Sequence, residues 1–409
     1  MQRILILGAG TAGTMMANRL VRVLSPAWKV TVVDQNDTHV YQPGLLFIPF
    51  GGYRDDELTR PRHLTLDPQV ELRLAGIDRV APDRREVRLI GGETITYDYL
   101  IIATGSRILP EATPGLTGDG WRKTASDFYT VEGAEALRAA LDRFTGGRLV
   151  LNVAEMPIKC PAAPLEFLFL ADAFLTERGL RDKTEVVFTT PLEGAFTKPV
   201  ASAHLGGMLE KRAIKVVGDF ALAEVDGTKR VIKSYDGRWE GYDLLVSIPV
   251  HGGAATISDS GIGDAGGWVP TDKHTLAASA HERVFVLGDA TNLPTSKAGA
   301  VAHFQADVLV DNLLRAIGGR PLRPDFDGHA NCFIETGHGK AMLIDFNYTT
   351  EPLPGKFPLP GIGPFTLLGE SAVNHWGKLA FKWIYWNLLL PGKELPIEHR
   401  MTMAGKQVA

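Results

Sequence analysis

The chain has 409 residues, 45% of them apolar and 22% charged, with a formal net charge of −4. That length exceeds one ordinary core and implies two or three globular domains. The balance excludes a disordered chain and, with no basic excess to release phosphate counterions, gives no nucleic acid as a partner. Its two cysteines, Cys160 and Cys332, are too few for a disulfide-stapled secreted scaffold and suit a reducing compartment. The apolar run at the start lacks the longer core and cleavage site of a signal peptide, and no stretch reaches the roughly 18 apolar residues of a transmembrane span.

The first element is "RILILGAGTAG": an apolar strand, then Gly8, Gly10 and Gly13 in GxGxxG spacing, then "TMMANRLVRVL" with apolar residues at helical spacing. Gly8 permits the turn, Gly10 lets backbone approach a pyrophosphate, and Gly13 lets helix and strand pack closely. The following strand, "KVTVVD", ends in Asp34, placed to accept ribose hydroxyls. Further on, "YDYLIIATGS" is a strand leading to Thr104 and Gly105, and "RVFVLGD" is a strand ending in Gly288 and Asp289, followed by a loop and a long helix. These segments resemble the signatures of the flavoprotein disulfide-reductase superfamily. The resemblance implies FAD at the first site, with Asp289 holding the ribityl chain and the next helix aiming its positive end at the flavin.

Between these segments lies a second unit, with "FYTVEGAEALRAALDRF" read as a helix and "RLVLNVAE" as a strand. A nicotinamide fingerprint should follow, yet the chain runs "VAEMPIKCPAAPLEFLFLADAFL", with no glycine between Gly147 and Gly179. Without glycine the backbone cannot approach a pyrophosphate. Cys160 occupies that loop, beside Lys159 and just before a helical segment, Ala162 to Leu175; both neighbours are expected to ease its deprotonation. Glu166, on that helix, is the leading candidate for handling protons, ahead of His204, His251 and His303. Lys297, in "PTSKAGA", is a candidate cation for reduced flavin or a quinone oxygen.

The combination of GAGTAG, "PIKCPAAPLEF", "VFVLGDATNLPTSKAGAVAHFQA", "CFIETGHGKA" and "GKLAFKWIYWNLLLPG" resembles the sulfide:quinone oxidoreductases over essentially the whole chain. The resemblance implies that Cys160 and Cys332 lie over one face of the flavin as a disulfide or sulfur-bridged pair. Sulfide attacks it, a persulfide forms, and the other sulfur passes two electrons to the flavin. Many members carry a third cysteine in the stretch corresponding to Gly120 to Val131; this chain has none there, which excludes covalent flavin attachment at that place. Phe333, beside Cys332, is the quinone-stacking ring the family motif supports. Phe357, Phe381 and Tyr385 are further candidates by position.

The C-terminal third changes character. "NYTTEPLPGKFPLPGIGPFTLLGE" is rich in proline and glycine and reads as no regular element. "NHWGKLAFKWIYWNLLLPGKELP" reads as a helix lying in a bilayer interface, its indoles at headgroup depth and Lys378 and Lys382 turned toward lipid phosphates.

The expectation is therefore an α/β protein with two Rossmann-like, three-layer domains of the disulfide-reductase type and a C-terminal membrane-associated region. The flavin domain spans 1–105 and 256–320, the second unit 106–255, and the quinone and membrane region 321–409. The cofactor is FAD, no metal is expected, and the partners are sulfide, membrane quinone and the bilayer surface. The protein would be peripheral and monotopic, and a homo-oligomer is compatible with all of this. The competing readings are a type II NADH:quinone oxidoreductase, which the lost nicotinamide loop disfavours, and the flavoprotein subunit of a flavocytochrome c sulfide dehydrogenase.

Overall fold

The computed structural model describes residues 1–359, 363–395 and 397–407. Among them are seven α-helices: α1 (Thr11–Val23), α2 (Val131–Arg143), α3 (Ala163–Glu177), α4 (Pro199–Lys211), α5 (Ala255–Asp259), α6 (Gly299–Ile317) and α7 (Ala372–Ile384). The first sheet runs Val284–Val286, Tyr99–Ile102, Gln2–Leu7, Trp28–Asp34, Glu71–Leu74, and every pairing is parallel. Ile4 to Leu7 have no exposed surface, as a continuous apolar run requires of a strand covered on both faces. The outermost strand, Val284–Val286, comes from far along the chain, so this layer is built from two separate stretches.

The second sheet repeats the plan with Ala125–Ser126, Leu244–Ile248, Gly147–Val153, Thr184–Thr189 and Ile214–Val217, again all parallel. Its α2 starts where Thr130 accepts the N–H of Gly133 as an N-cap, the standard service of a threonine hydroxyl there. An antiparallel pair, Ser106–Leu109 with Val250–Gly253, carries the chain between the two sheets.

The third layer is where sequence reasoning fell short. Ala330–Gly337 and Lys340–Phe346 form a hairpin turned through Gly337, His338 and Gly339, all at positive φ. The proline-rich stretch, expected to be irregular, makes a second hairpin, Gly355–Leu359 with Gly363–Leu367; residues 360–362 of that stretch lie outside the described residues. Pro358 and Pro364 face each other across this hairpin, away from Leu343↔Leu367, the pair that joins it to the sheet. A missing N–H is tolerated there because no third strand calls on it.

Helix α7 lies on this sheet, and its register is set by one residue. Asn374 is fully buried; its Oδ1 accepts the N–H of Thr366 at 3.0 Å and its Nδ2 donates to the Thr366 carbonyl at 2.8 Å. The lysines of this helix face opposite to expectation, while two of its indoles point outward as expected. Lys378 and Lys382 turn in toward protein, with side chains 13% and 24% exposed, while Trp376 and Trp383 point out at 67% and 61%. No helix among the described residues is long and apolar enough to cross a membrane.

Asn374→Ala should cost about 2–3 kcal/mol, because both backbone groups of Thr366 lose their partner. Thermal unfolding of the variant would show it, and an unchanged melting temperature would mean that packing alone holds α7.

Candidate active site

The glycine loop has the shape its spacing demands. Gly8 has φ +98°, and a Cβ there would meet the Ala103 carbonyl oxygen at 2.5 Å. A Cβ on Gly10 would meet nothing within 4 Å, so open space lies before the loop. Helix α1 has no side-chain cap, which leaves first-turn N–H groups to point into that space. Asp34 ends its strand as expected, with Oδ2 accepting the Ala9 N–H at 2.7 Å and Oδ1 3.4 Å from Arg62.

The two later segments converge on the same space. The Thr104 hydroxyl is buried without a partner, and a Cβ on Gly105 would meet nothing. Gly288 donates its N–H to Gln305 at 2.7 Å, and Asp289 accepts the Ser106 hydroxyl at 3.2 Å. Helix α6 starts at Gly299 with no side-chain cap. An unfilled glycine cradle, two uncapped helix starts and an orphaned hydroxyl fit a dinucleotide, and FAD would be held by these groups.

Lys297 is held by the protein around it. Its ammonium donates to the carbonyls of Asp289 (3.0 Å) and Thr291 (2.6 Å) and lies 3.9 Å over the Trp268 ring; burial lowers its pKa to about 8. Its backbone carbonyl accepts the Cys160 N–H at 2.8 Å. Lys297 thus clasps the loop after Asp289 and pins the cysteine loop against it.

Cys160 has φ +45° and lies three residues before α3. The expected ease of deprotonation does not hold. Burial, then Glu166, pushes the Cys160 thiol up to about 11, against smaller opposite effects of Lys378 and the backbone N–H groups of Ala163 and Ala162. Lys159 is directed elsewhere, with Nζ 3.2 Å from Gln42 Oε1. Cys332 is raised further by burial, and the next influence on it is Cys160, so the two free thiols feel each other's charge.

Beneath them is a polar cluster the sequence did not reveal. Glu166, 1% exposed, forms an ion pair with Lys378 of α7 at 2.7 Å and accepts the N–H of Glu335 at 3.0 Å. Lys378 also donates to the Phe333 carbonyl at 3.0 Å. Burial works against its ammonium, but Glu166 and then Cys160 outweigh that and raise its pKa. Helix α3, the cysteine strand Ala330–Gly337 and α7 therefore meet at one ion pair.

The histidine candidates separate clearly. His204 is exposed on α4. His303 accepts from Arg19 at 2.9 Å, and burial lowers its pKa to about 4. His251 stands edge-on to Tyr129 at 5.1 Å, its Nε2 unpartnered, and is lowered by burial to about 3; both of these rings are neutral at pH 7.

Of the aromatic candidates, Phe333 is partly exposed and meets Phe365 edge-on at 5.2 Å. A Cβ on Gly377 would press on both rings, at 2.9 Å from Phe333 and 2.6 Å from Phe365, so this glycine keeps room for the pair. Phe357 is buried with Leu343 and Leu367. Phe381 is half-buried and faces Tyr385 at 6.5 Å. Tyr385 is fully enclosed, and its hydroxyl lies 2.7 Å from both Thr11 Oγ1 and His39 Nε2, which ties the C-terminal region to the start of α1.

The known proteins similar to this chain agree with these features. Residues 2–155 match the pyridine nucleotide-disulphide oxidoreductase family model. The mitochondrial sulfide:quinone oxidoreductase of Mus musculus is 30% identical over 95% of this chain and 86% of its own, and that of Dictyostelium discoideum 28% over 96% and 86%. The crystal structure of the sulfide:quinone oxidoreductase of Aquifex aeolicus superposes with a TM-score of 0.79 at 18% identity, covering 96% of this chain and 92% of that one. A flavin cradle followed by a cysteine where a nicotinamide loop would stand, and kinship along nearly the whole length, lead to one assignment: the chain belongs to the sulfide:quinone oxidoreductase family.

Proposed function

We propose that this protein oxidises sulfide to zero-valent sulfur through Cys160 and Cys332 and passes the electrons by way of FAD to a membrane quinone. The observation that carries the reading is the exchange in the second Rossmann unit: the loop that would cradle a nicotinamide holds Cys160 instead, pinned by the carbonyl of Lys297. FAD supplies the two-electron relay when bound.

Hydrosulfide is small and offers few handles for recognition, so capture by thiol exchange suits it better than a shaped pocket. In the oxidised state HS⁻ attacks one sulfur of the Cys160–Cys332 pair, a new S–S bond forms, the old one breaks, and the other cysteine leaves as thiolate. Net, HS⁻ gives S⁰, a proton and two electrons. Burial opposes a standing negative charge on either sulfur, and Lys378 is the cation that opposes burial at both. Its role in this reading is to stabilise the leaving thiolate, with Glu166 holding it in place.

The electrons leave toward lipid. The outward stripe of α7, Val373, Trp376, Ala380 and Trp383, is apolar with two indoles, the composition of a helix seated at a membrane interface. Lys378 and Lys382 have no part in that contact.

In detergent under anaerobic conditions, sulfide should bleach the flavin and decylubiquinone restore it, while NADH does neither; Cys160→Ser or Cys332→Ser should abolish the bleaching. Bleaching by NADH but not sulfide would overturn the reading. Replacing Lys378 by Met together with Glu166→Gln, so that no unpaired carboxylate is left buried, should slow sulfide-driven bleaching about tenfold, equal to roughly 1.4 kcal/mol at the leaving sulfur. An unchanged rate would remove Lys378 from the chemistry. Flotation with lipid vesicles should fall sharply in a Trp376→Ser, Trp383→Ser double variant; retained binding would place the membrane face elsewhere.

A further inference from the structure

We propose that Glu335 and His375 form a proton-uptake relay that carries a proton from the aqueous rim of α7 to the enclosed Glu335 carboxyl, beside the buried Glu166–Lys378 pair, and serves the quinone half of the reaction. The inference rests on the proposed sulfide-to-quinone activity. It begins from that reaction's balance: HS⁻ plus quinone plus one proton gives S⁰ plus quinol, so each turnover draws one proton from water into a buried site.

Among the described residues, Glu335 and His375 form an arrangement that answers this need. Glu335 is 1% exposed, yet its carboxylate is not paired with a lysine or arginine. Its partner is His375 Nδ1, at 2.8 Å and 3.1 Å from the two oxygens. The His375 side chain is 22% exposed and leans edge-on against Trp376 at 5.7 Å, at the rim of the outward stripe. One end of the pair thus reaches solvent and the other is buried. Inward, the Glu335 backbone N–H is bonded to Glu166, and Lys378 lies one helical turn from His375 on the same face of α7.

A structural ion pair would not look like this. A carboxylate buried only to hold two elements together is best served by a permanent cation, whereas a histidine partner changes charge near neutral pH. Burial raises the Glu335 pKa to about 7 despite the opposing influences of His375 and Lys378, and Glu166 raises it further. The other ionisable group that faces it is Tyr53, from the segment after the Gln42–Phe50 turn, whose hydroxyl is raised by burial, Glu57 and Glu335 and lowered by Lys378. A carboxyl and an imidazole in hydrogen-bond contact, one enclosed and the other reaching water, are placed to pass a proton between them.

The test separates the two half-reactions. Wild type, Glu335→Gln and His375→Gln would be reduced anaerobically with sulfide and then mixed with decylubiquinone, with flavin absorbance followed in both stages across pH. Glu335→Gln keeps the shape of the protonated acid and should fold. Expected is reoxidation slowed about tenfold or more in both variants, with the wild-type pH dependence near 7 flattened and bleaching by sulfide changed little. Added imidazole should restore reoxidation in His375→Ala. An infrared pH titration should show a carboxylic acid carbonyl band that disappears with a midpoint near 7 in wild type and is missing in Glu335→Gln. Wild-type reoxidation rates in both variants, or equal losses in the two stages, would overturn the path. If wild type itself is not bleached by sulfide, the proposed activity fails instead, and the infrared band still reports whether the pair titrates.

Discussion

The arrangement of this protein depends on one buried ion pair, Lys378 with Glu166. The two side chains come from helices that belong to different layers, and each is almost wholly removed from water. Burying two charges is costly, and the pair makes up for it only because its remaining valences are filled: Glu166 accepts a backbone N–H of the cysteine strand, and Lys378 donates a hydrogen bond to a carbonyl of the same strand. The pair therefore fixes where α7, α3 and the strand of Cys332 stand relative to one another. Cys160 precedes α3, so the same interaction helps bring the two thiols near enough for each to feel the other's charge. Removing either charge alone leaves the other stranded in the interior.

How much of this was legible follows from which contacts are local. The flavin cradle is local: the order strand, GxGxxG, helix, strand, acid is dictated by short-range geometry, and each glycine meets the steric demand its spacing implied. The loss of a nicotinamide loop was legible for the same reason, since glycine is required wherever backbone must approach a pyrophosphate. Lys378, Glu335 and His375 were not legible. Their partners lie on other elements far along the chain, and nothing in a helix sequence says that a lysine has a buried carboxylate waiting for it.

Helix α7 shows the limit most clearly. Periodicity separated Trp376 and Trp383 from the lysines, and that separation holds, but Trp386, read with those indoles, is buried against His39 and Tyr385. What periodicity cannot decide is which face looks inward. Reading α7 as an interfacial helix turned the indoles and the lysines alike toward lipid; Trp376 and Trp383 do point outward, whereas Lys378 and Lys382 turn into the protein. A buried acid decides the direction for the lysine, since Glu166 holds Lys378 from the inside, and the membrane contact proposed above would do the same for the outward apolar stripe. The proline-rich hairpin was missed for a related reason: prolines argue against a strand only where a neighbour needs their N–H, and here none does.

The thiol electrostatics at first oppose the proposed chemistry, since burial and Glu166 hold both cysteines protonated. The difficulty lies only with a mechanism in which a resting thiolate starts the reaction. When the cysteines are paired as a disulfide there is no thiol to deprotonate; the nucleophile is hydrosulfide, which arrives already charged. A negative sulfur then exists only as a leaving group, for the interval in which the electrons move on. A site that disfavours a standing thiolate but keeps one cation beside it makes that leaving sulfur a strong donor, because its charge is held poorly and is readily passed to an acceptor. In the proposed reaction the same enclosure that raises the thiols would favour passing the electrons on, and Lys378, the cation that opposes burial at both sulfurs, would set how far the penalty is relieved.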